Sequence, residues 1–238
     1  MADDVSKSPE RISGMFDAIA GRYDFLNHFL SAGIDRRWRR RAVASLALTG
    51  RERVLDLCTG TGDLAIAAMR ARPGAARVVG VDFAAAMLVI GNRKVGARRL
   101  QRAIALIRGD ATRLPVADAS VDAVAIGFGI RNVDDVPAAC GEIHRVLKPH
   151  GRLAILEFAI PRTPGFRQAY LWYLRHLLPR IGRAISRHDG AYRYLQTSID
   201  AFVSPDEFVK LLRQNGFMEV RPVPLTFGSV ILYTACRS

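Results

Sequence analysis

Three carboxylates, each placed where an apolar run gives out, are the first residues that could do chemistry. Asp56 lies in Val54-Leu55-Asp56-Leu57, Asp82 follows Val78-Val79-Gly80-Val81, and Asp110 closes Ile107-Arg108-Gly109-Asp110-Ala111. Between the first two lies Thr59-Gly60-Thr61-Gly62, and Asp82 stands twenty residues beyond Gly62. Strand, glycine turn, helix, strand and terminal acid make the nucleotide-cradling half of a doubly wound sheet. Glycine is needed where the backbone must approach a ligand or take positive φ. A carboxylate ending the second strand can accept two ribose hydroxyls. Gly60-Thr61-Gly62-Asp63-Leu64-Ala65 also satisfies the dinucleotide fingerprint, so the glycines alone leave NAD open. Asp56 tilts the reading towards S-adenosylmethionine, because a carboxylate inside the end of the first strand repels a pyrophosphate and suits an amino-acid ammonium. Asp110 can accept from an adenine amino group. Single acids in such places often only cap helices or end strands; three of them along one set of strand ends point to a ligand.

The elements that position these acids follow from periodicity. Residues 1–10 read as disordered, and Arg11 to about Leu48 as helical, with Phe16, Ile19, Tyr23, Leu26 and Leu30 on one face. Ser31-Ala32-Gly33 interrupts this pattern, and a second helix starts near Asp35 with Trp38 and Arg36, Arg37, Arg39, Arg40 and Arg41. Those arginines make either a solvated basic face or part of a lid whose cations meet lipid phosphates. Further strands are expected at 104–107, 121–126 and 152–157. Asp134 or Asp135 caps the helix before the last of these, and Lys148-Pro149-His150-Gly151 stops it. Residues 160–200 break the alternation: from Arg162 to Arg193 there are seven arginines and one acid, Asp189, among aromatic and leucine residues. This reads as a helical cover suited to a bilayer interface. Ser204-Pro205-Asp206-Glu207 is a capping box, its helix ends at Asn215-Gly216, and strands at 217–221 and 230–236 close the chain as a hairpin. The expected fold is α/β and Rossmann-like: a mostly parallel seven-stranded sheet with an antiparallel C-terminal strand. One domain spans 1–238, with an N-terminal helical lid over 10–48 and an inserted helical cover over 160–200.

The chain has 238 residues, half of them apolar, enough for a substantial core. Its net charge of +13, from 35 basic and 22 acidic residues, attracts polyanions, with nucleic acid and an anionic membrane as the two candidates. Cys58, Cys140 and Cys236 lack disulfide or metal spacing, as expected of reduced thiols in a cytoplasmic protein. The acidic start has no apolar segment behind it, unlike a secretory signal. The longest charge-free run, Pro222 to Cys236, is 15 residues, too short to span a bilayer.

Three further segments carry a resemblance. Met15-Phe16-Asp17, Tyr23-Asp24, Asn27, Ser31-Ala32-Gly33 and Trp38-Arg39 resemble the N-terminal signature of the ubiquinone/menaquinone biosynthesis C-methyltransferases. Ile126-Gly127-Phe128-Gly129-Ile130-Arg131-Asn132-Val133 resembles that family's motif after the fourth strand, and Arg145 to Pro149 through Glu157 its third signature. The likeness runs from about Met15 to Tyr233. It implies a class I methyltransferase fold, S-adenosylmethionine as methyl donor without a metal, and a polyprenylated hydroquinone acceptor, demethylmenaquinol foremost. It places Thr61, Asp82, Asp110 and Ala111 against the cofactor, with Asp56, Gly60 and Gly62 shaping the pocket. Gly127 joins them where some relatives carry a contacting serine. It makes Arg131 and Asn132 the catalytic pair that assists loss of a phenolic proton; an arginine stays protonated, so its expected role is to lower a pKa by its charge. Tyr23, Asp24, His28 and His144 are further candidates. A prenylated acceptor implies peripheral contact with the anionic inner face of the cytoplasmic membrane, through the 160–195 segment, and no nucleic-acid partner. The rivals are an RNA methyltransferase, an NAD-dependent oxidoreductase and a non-enzymatic cofactor-binding subunit. Against the first, Gly127 to Asn132 lacks the Asn/Asp-Pro-Pro-aromatic tetrad that holds a planar amine.

Overall fold

Short runs of valine, leucine, isoleucine and alanine that are buried on both sides belong in the interior of a parallel sheet. The computed structural model, which describes residues 9–71, 77–177, 180 and 189–238, places them there. β1 (Arg53–Leu57), β2 (Arg77–Asp82), β3 (Ile104–Arg108), β4 (Val121–Gly127) and β5 (Leu147–Phe158) run parallel. β7 (Val230–Arg237) enters antiparallel between β5 and β6 (Phe217–Leu225), so the seven-strand order is β3-β2-β1-β4-β5-β7-β6. The order reverses between β1 and β4, and ligands of such sheets bind beyond the strand ends at that switch point.

Alternate residues of each strand feed two cores. Leu55, Leu57, Val124, Ile126, Leu153 and Ile155 pack with α5 (Val136–Val146) and α8 (Pro205–Gln214). Val54, Val78, Ala123, Ala125 and Leu156 pack with α2 (Asp35–Ser45), α3 (Asp63–Ala71) and Val95 of α4 (Ala85–Ala97). Asp135 caps α5 by accepting from the Ala138 amide at 2.9 Å, and Ser204 with Glu207 closes the capping box of α8.

Two strands depart from expectation. β6 continues through Pro222 and Pro224 to Leu225; it is an edge strand, where a missing amide costs no ladder bond. β5 starts at Leu147 rather than Arg152, and its pairing with β4 jumps from Val121–Leu147 to Ala123–Arg152, so Lys148–Gly151, expected only to stop the helix, is a bulge within the strand. The disorder expected of residues 1–10 falls outside the described residues up to 8, and Pro9 opens α1 (Pro9–Leu30). In the cover, α6 (Phe166–Trp172) widens into a π turn over Tyr173–Leu177, and α7 (Asp189–Ala201) packs on it through Leu174, Ile199 and Leu195. Arg183 and Arg187 of this segment lie outside the described residues. Among the described residues no helix is long and apolar enough to cross a membrane.

α1 lies over α4 through Ala20, Phe16, Tyr23, Ala84 and Met87. A charged knot pins it. Lys94 Nζ of α4 donates to Asp24 Oδ2 at 2.6 Å, Asp63 Oδ1 at 2.5 Å and Thr61 Oγ1 at 2.9 Å, while Thr61 donates to Asp24 Oδ1 at 2.5 Å. Burial opposes ionisation of Asp63, yet Lys94 and Arg39 hold its carboxyl below the ordinary value. His28 Nδ1 sits 2.7 Å from Asp35 Oδ2, which also accepts from Arg39, so one of the five clustered arginines turns inward. Hydrogen bonds to charged groups contribute about 1.5–3 kcal/mol each, so Lys94→Met is expected to speed amide hydrogen exchange across α1 by roughly tenfold or more, with β1 and β4 unchanged. Unaltered exchange in α1 would show that apolar packing alone holds it.

Candidate active site

The glycine turn leaves β1 through Cys58 and is threaded between two of the carboxylates. Asp56 sits beneath it: Thr59 Oγ1 donates to Asp56 Oδ2 at 2.6 Å, and the Ala65 amide in the first turn of α3 donates to the same oxygen at 2.9 Å. Asp56 is only 1% exposed and its Oδ1 is buried without a hydrogen-bond partner among the described residues. Burial pushes its pKa up to about 7, against the pull of those two donors. Asp82 stands in front of the turn. Its Oδ2 accepts from the Gly60 amide at 2.7 Å and its Oδ1 from the Ala84 amide at 2.9 Å, and these backbone donors fix the carboxylate at the rim. Burial raises this carboxyl too, with the amides opposing. Gly62, at φ +78, turns the chain into α3, a conformation few side chains tolerate.

A cavity of about 270 Å³ opens at this rim. Gly60, Asp82, Asp110, Ala111, Gly127 and Asn132 line it, together with the apolar Val81, Phe83 and Met87. Asp110 Oδ1 accepts from the Thr112 amide and hydroxyl, each at 2.8 Å, and its other oxygen has no hydrogen bond among the described residues. Asp56, Thr61 and Gly62 do not line the cavity. Asp56 is sealed under the turn, Thr61 spends its hydroxyl on Asp24 and Lys94, and Gly62 serves the backbone.

A second cavity, of about 150 Å³, adjoins the first and is walled by aromatics. Phe128 stacks on Phe158 at 4.5 Å between centroids, and Trp38 approaches them at 5.9 and 6.4 Å. Tyr170, Tyr173 and Leu174 of the cover complete it. Phe16, Tyr23 and Phe128 line both cavities, so these three side chains form the seam between them.

Arg131 and Asn132, consecutive on the short 3-10 turn Ile130–Asn132, are divided by that seam. Arg131 lines the aromatic cavity and is buried. Its Nη1 donates to Glu157 Oε1 at 2.7 Å and to the Phe128 carbonyl at 2.6 Å, its Nε to Ser198 Oγ at 3.3 Å, and its Cζ lies 5.4 Å from the Phe158 centroid. Nη2 makes no hydrogen bond among the described residues. The charge is therefore half of an ion pair, and what Arg131 offers a ligand is an N–H. Asn132 lines the first cavity, and its Oδ1 accepts from the Tyr194 hydroxyl at 3.1 Å. Of the further candidates, Tyr23 lies on the seam and burial raises its phenol, against Asn27 and the guanidiniums of Arg39 and Arg131. Asp24 and His28 are engaged in the α1 knot, and His144 lies edge-on to Phe217 at 5.5 Å, lining neither cavity. Glu157 was missed as the partner of Arg131, although its place at the end of a strand beside β4 was a signal.

The sequence profile of the ubiE/COQ5 methyltransferase family matches residues 4–237. The chain belongs to this family. A protein of Syntrophotalea carbinolica named ubiquinone/menaquinone biosynthesis C-methyltransferase UbiE is 49% identical over 225 residues, 94% of this chain and 93% of its own. The demethylmenaquinone methyltransferase of Thermus thermophilus is 46% identical over 223 residues, 94% of this chain and 100% of its own. Among solved structures, a SAM dependent methyltransferase from Aquifex aeolicus superposes with a TM-score of 0.62 at 17% identity, covering 84% of this chain and 89% of its own, a likeness of fold.

Two measurements probe how this member of the ubiE/COQ5 family holds its site. Removing one half of a buried ion pair costs about 3–5 kcal/mol, so Arg131→Ala is expected to lose that much in urea unfolding, and Arg131→Ala/Glu157→Ala to lose clearly less than the two single variants added. Strict additivity would mean the pair is not coupled. Asp56 has its pKa raised from 3.8 to about 7 on folding, so the folded chain binds more protons than the unfolded one within that window. Its contribution to stability is therefore fully present below the unfolded value and is lost as pH rises through about 7. Asp56→Asn keeps the oxygen used by Thr59 and Ala65. It is expected to melt above wild type at pH 8, by a margin that shrinks steadily as pH falls towards 4, and a pH-independent margin would contradict this assignment.

Proposed function

We propose that the protein transfers a methyl group from S-adenosylmethionine to a ring carbon of a polyprenylated hydroquinone, demethylmenaquinol foremost, across the seam between the two cavities. The observation that carries this reading is the pairing of a carboxylate-rimmed cavity with an aromatic one, sharing Phe16, Tyr23 and Phe128. The whole chain acts as one domain, with α1 and α2 as the lid and residues 160–200 as the cover.

The donor set of the first cavity fits S-adenosylmethionine. Asp82 at the rim can accept from ribose hydroxyls, and Asp110 has an oxygen free for an adenine amino group. Gly60, Ala111 and Gly127 let backbone approach closely. Thr61 and Gly62 shape the turn from behind, and the orphaned oxygen of Asp56 puts negative potential under it that favours an ammonium. When bound, S-adenosylmethionine supplies a methyl activated on a sulfonium and leaves as a neutral thioether.

The remaining work falls to this chain's own residues. The aromatic box of Trp38, Phe128 and Phe158 would orient a flat ring, and the shared wall of Phe16, Tyr23 and Phe128 would set its reacting carbon facing the donor's cavity. A hydroquinone ring would attack through carbon once a hydroxyl proton has passed to water; the methyl–sulfur bond would break as the carbon–carbon bond forms, and the ring C–H proton would then leave to solvent, restoring the quinol. Arg131 Nη2 donates to that oxygen and stabilises the phenolate. The Arg131–Glu157 pair moderates the charge, so the hydrogen bond matters more than the net field. Asn132, its carbonyl held by Tyr194, offers its amide N–H on the other side of the seam. Tyr23 stays a neutral phenol, because burial raises its pKa.

The acceptor's apolar tail places the protein at the anionic inner face of the cytoplasmic membrane, where its net charge of +13 favours binding. Nucleic acid is not a partner in this reading. The test is purified protein with S-adenosylmethionine and reduced demethylmenaquinone, with S-adenosylhomocysteine and NADH titrated separately. Methylated quinol and binding of S-adenosylhomocysteine alone are expected. Binding of NADH alone would overturn the cofactor, and S-adenosylhomocysteine binding without methyl transfer would overturn the acceptor.

A further inference from the structure

We propose that the β6–β7 turn, Thr226–Gly228, is a bilayer-insertion point, with Phe227 at its tip and Phe166 beside it, which seats the protein on an anionic lipid surface next to the aromatic cavity. The inference deepens the prenylated-acceptor reading and rests on it for its purpose, though its physical signs are independent.

Phe227 is 72% exposed, more than any other large apolar side chain among the described residues. Its backbone is left-handed at φ +56, and so is that of Thr226 at φ +44. This conformation costs a non-glycine residue roughly 1–2 kcal/mol, and a tight turn in water would relieve the cost with asparagine or glycine. Here the costly geometry displays a large apolar ring. The turn is also rigidly held: Trp38 Nε1 donates to Thr226 Oγ1 at 2.9 Å, and the Ser229 amide and hydroxyl donate to the Thr226 carbonyl at 3.1 and 2.9 Å. Trp38 and Ser229 both line the aromatic cavity, so the turn is bonded to the wall of the acceptor site.

An aromatic track joins the tip to that cavity. The Phe166 ring lies 5.0 Å from Phe227 and 6.3 Å from Tyr170, and Tyr170 lines the cavity. The charge beside the track selects the occupant. Arg167, next to Phe166 in the chain, is exposed without an ion pair among the described residues, as are Arg175 and Arg180 further along the segment, whereas Arg162 is neutralised by Asp206 at 2.7 Å. An apolar tip beside Phe166, with the exposed, unpaired Arg167 following it in the chain, fits anionic headgroups above acyl chains. A prenyl tail leaving the cavity along the track would enter the same layer.

The experiment uses Phe227→Asn, which tolerates the left-handed turn and so is expected to melt no lower than wild type, and Phe227→Trp, which keeps the apolar tip. Flotation with vesicles of equal phosphatidylglycerol and phosphatidylcholine is expected to show wild type and Phe227→Trp bound. Phe227→Asn should partition tenfold or more weakly, as loss of one buried phenylalanine implies. Brominated acyl chains should quench the fluorescence that Phe227→Trp adds over wild type. Methylation of a short-tailed soluble quinol should be unchanged in Phe227→Asn, while that of a long-tailed quinol in vesicles slows. Equal partition of wild type and Phe227→Asn, or no added quenching, would overturn the proposal. So would a dimer lost on Phe227→Asn with vesicle binding intact, which would assign the patch to a second copy. Vesicle binding that depends on Phe227 in a protein that methylates no quinol would uphold the insertion point and sink only the acceptor.

Discussion

A guanidinium and a carboxylate taken out of water together organise the site. Arg131 is 5% exposed and Glu157 fully buried, and neither charge is tolerable there without the other. Satisfying them fixes a great deal else. Glu157 reaches back to the Phe158 and Arg131 amides, Arg131 holds the Phe128 carbonyl and Ser198 of the cover, and the ends of β4 and β5 are thereby locked with Phe128 stacked on Phe158. The wall between the two cavities is a consequence of that pairing. So is the chemistry available to Arg131, since the partner takes up the charge and leaves an N–H donor facing an aromatic space.

On the other side of the wall, two carboxylates of the same type do different work because their surroundings differ. Asp56 lies under the glycine turn with one oxygen tied to Thr59 and Ala65 and the other orphaned. Asp82 lies in front, ordered by the Gly60 and Ala84 amides and open to the cavity. Both are raised by burial, and no arginine or lysine bonds to either among the described residues. A cationic ligand relieves such a site where a polyanion would burden it. Electrostatics therefore separates the sulfonium donor from a dinucleotide, which the glycine spacing alone could not do.

How much of this was legible in the sequence depends on the range of the interaction. β1, the glycine turn, α3 and β2 were readable because a buried parallel strand is a continuous apolar run and the turn needs its glycines. The caps at Asp135 and Ser204 were readable because capping is local. The prolines of β6 misled because only the sheet order reveals an edge strand. The bulge of β5 was hidden because Lys148–Gly151 has the composition of a turn. Long-range pairing was mostly out of reach: Lys94 with Thr61 and Asp24, and Tyr194 with Asn132, join residues with no local signature, while Glu157 with Arg131 was marked only by their places at the ends of neighbouring strands. The aromatic cavity draws on Trp38, Phe128, Phe158 and Tyr170 from four separate segments, and each alone reads as ordinary core. Thr61 and Asp56 stand in the expected stretch, but their side chains turn to the scaffold.

In the proposed reaction, donor and acceptor meet at the seam of Phe16, Tyr23 and Phe128. A crystal structure of the protein with S-adenosylhomocysteine and a short-tailed naphthoquinol tests it most directly. The expected complex has the ribose on Asp82, the adenine near Asp110, the sulfur facing the seam, and the quinol ring against Phe158 with one oxygen at Arg131 Nη2. A sulfur turned away from the seam, or a ring bound anywhere but the aromatic cavity, would contradict it.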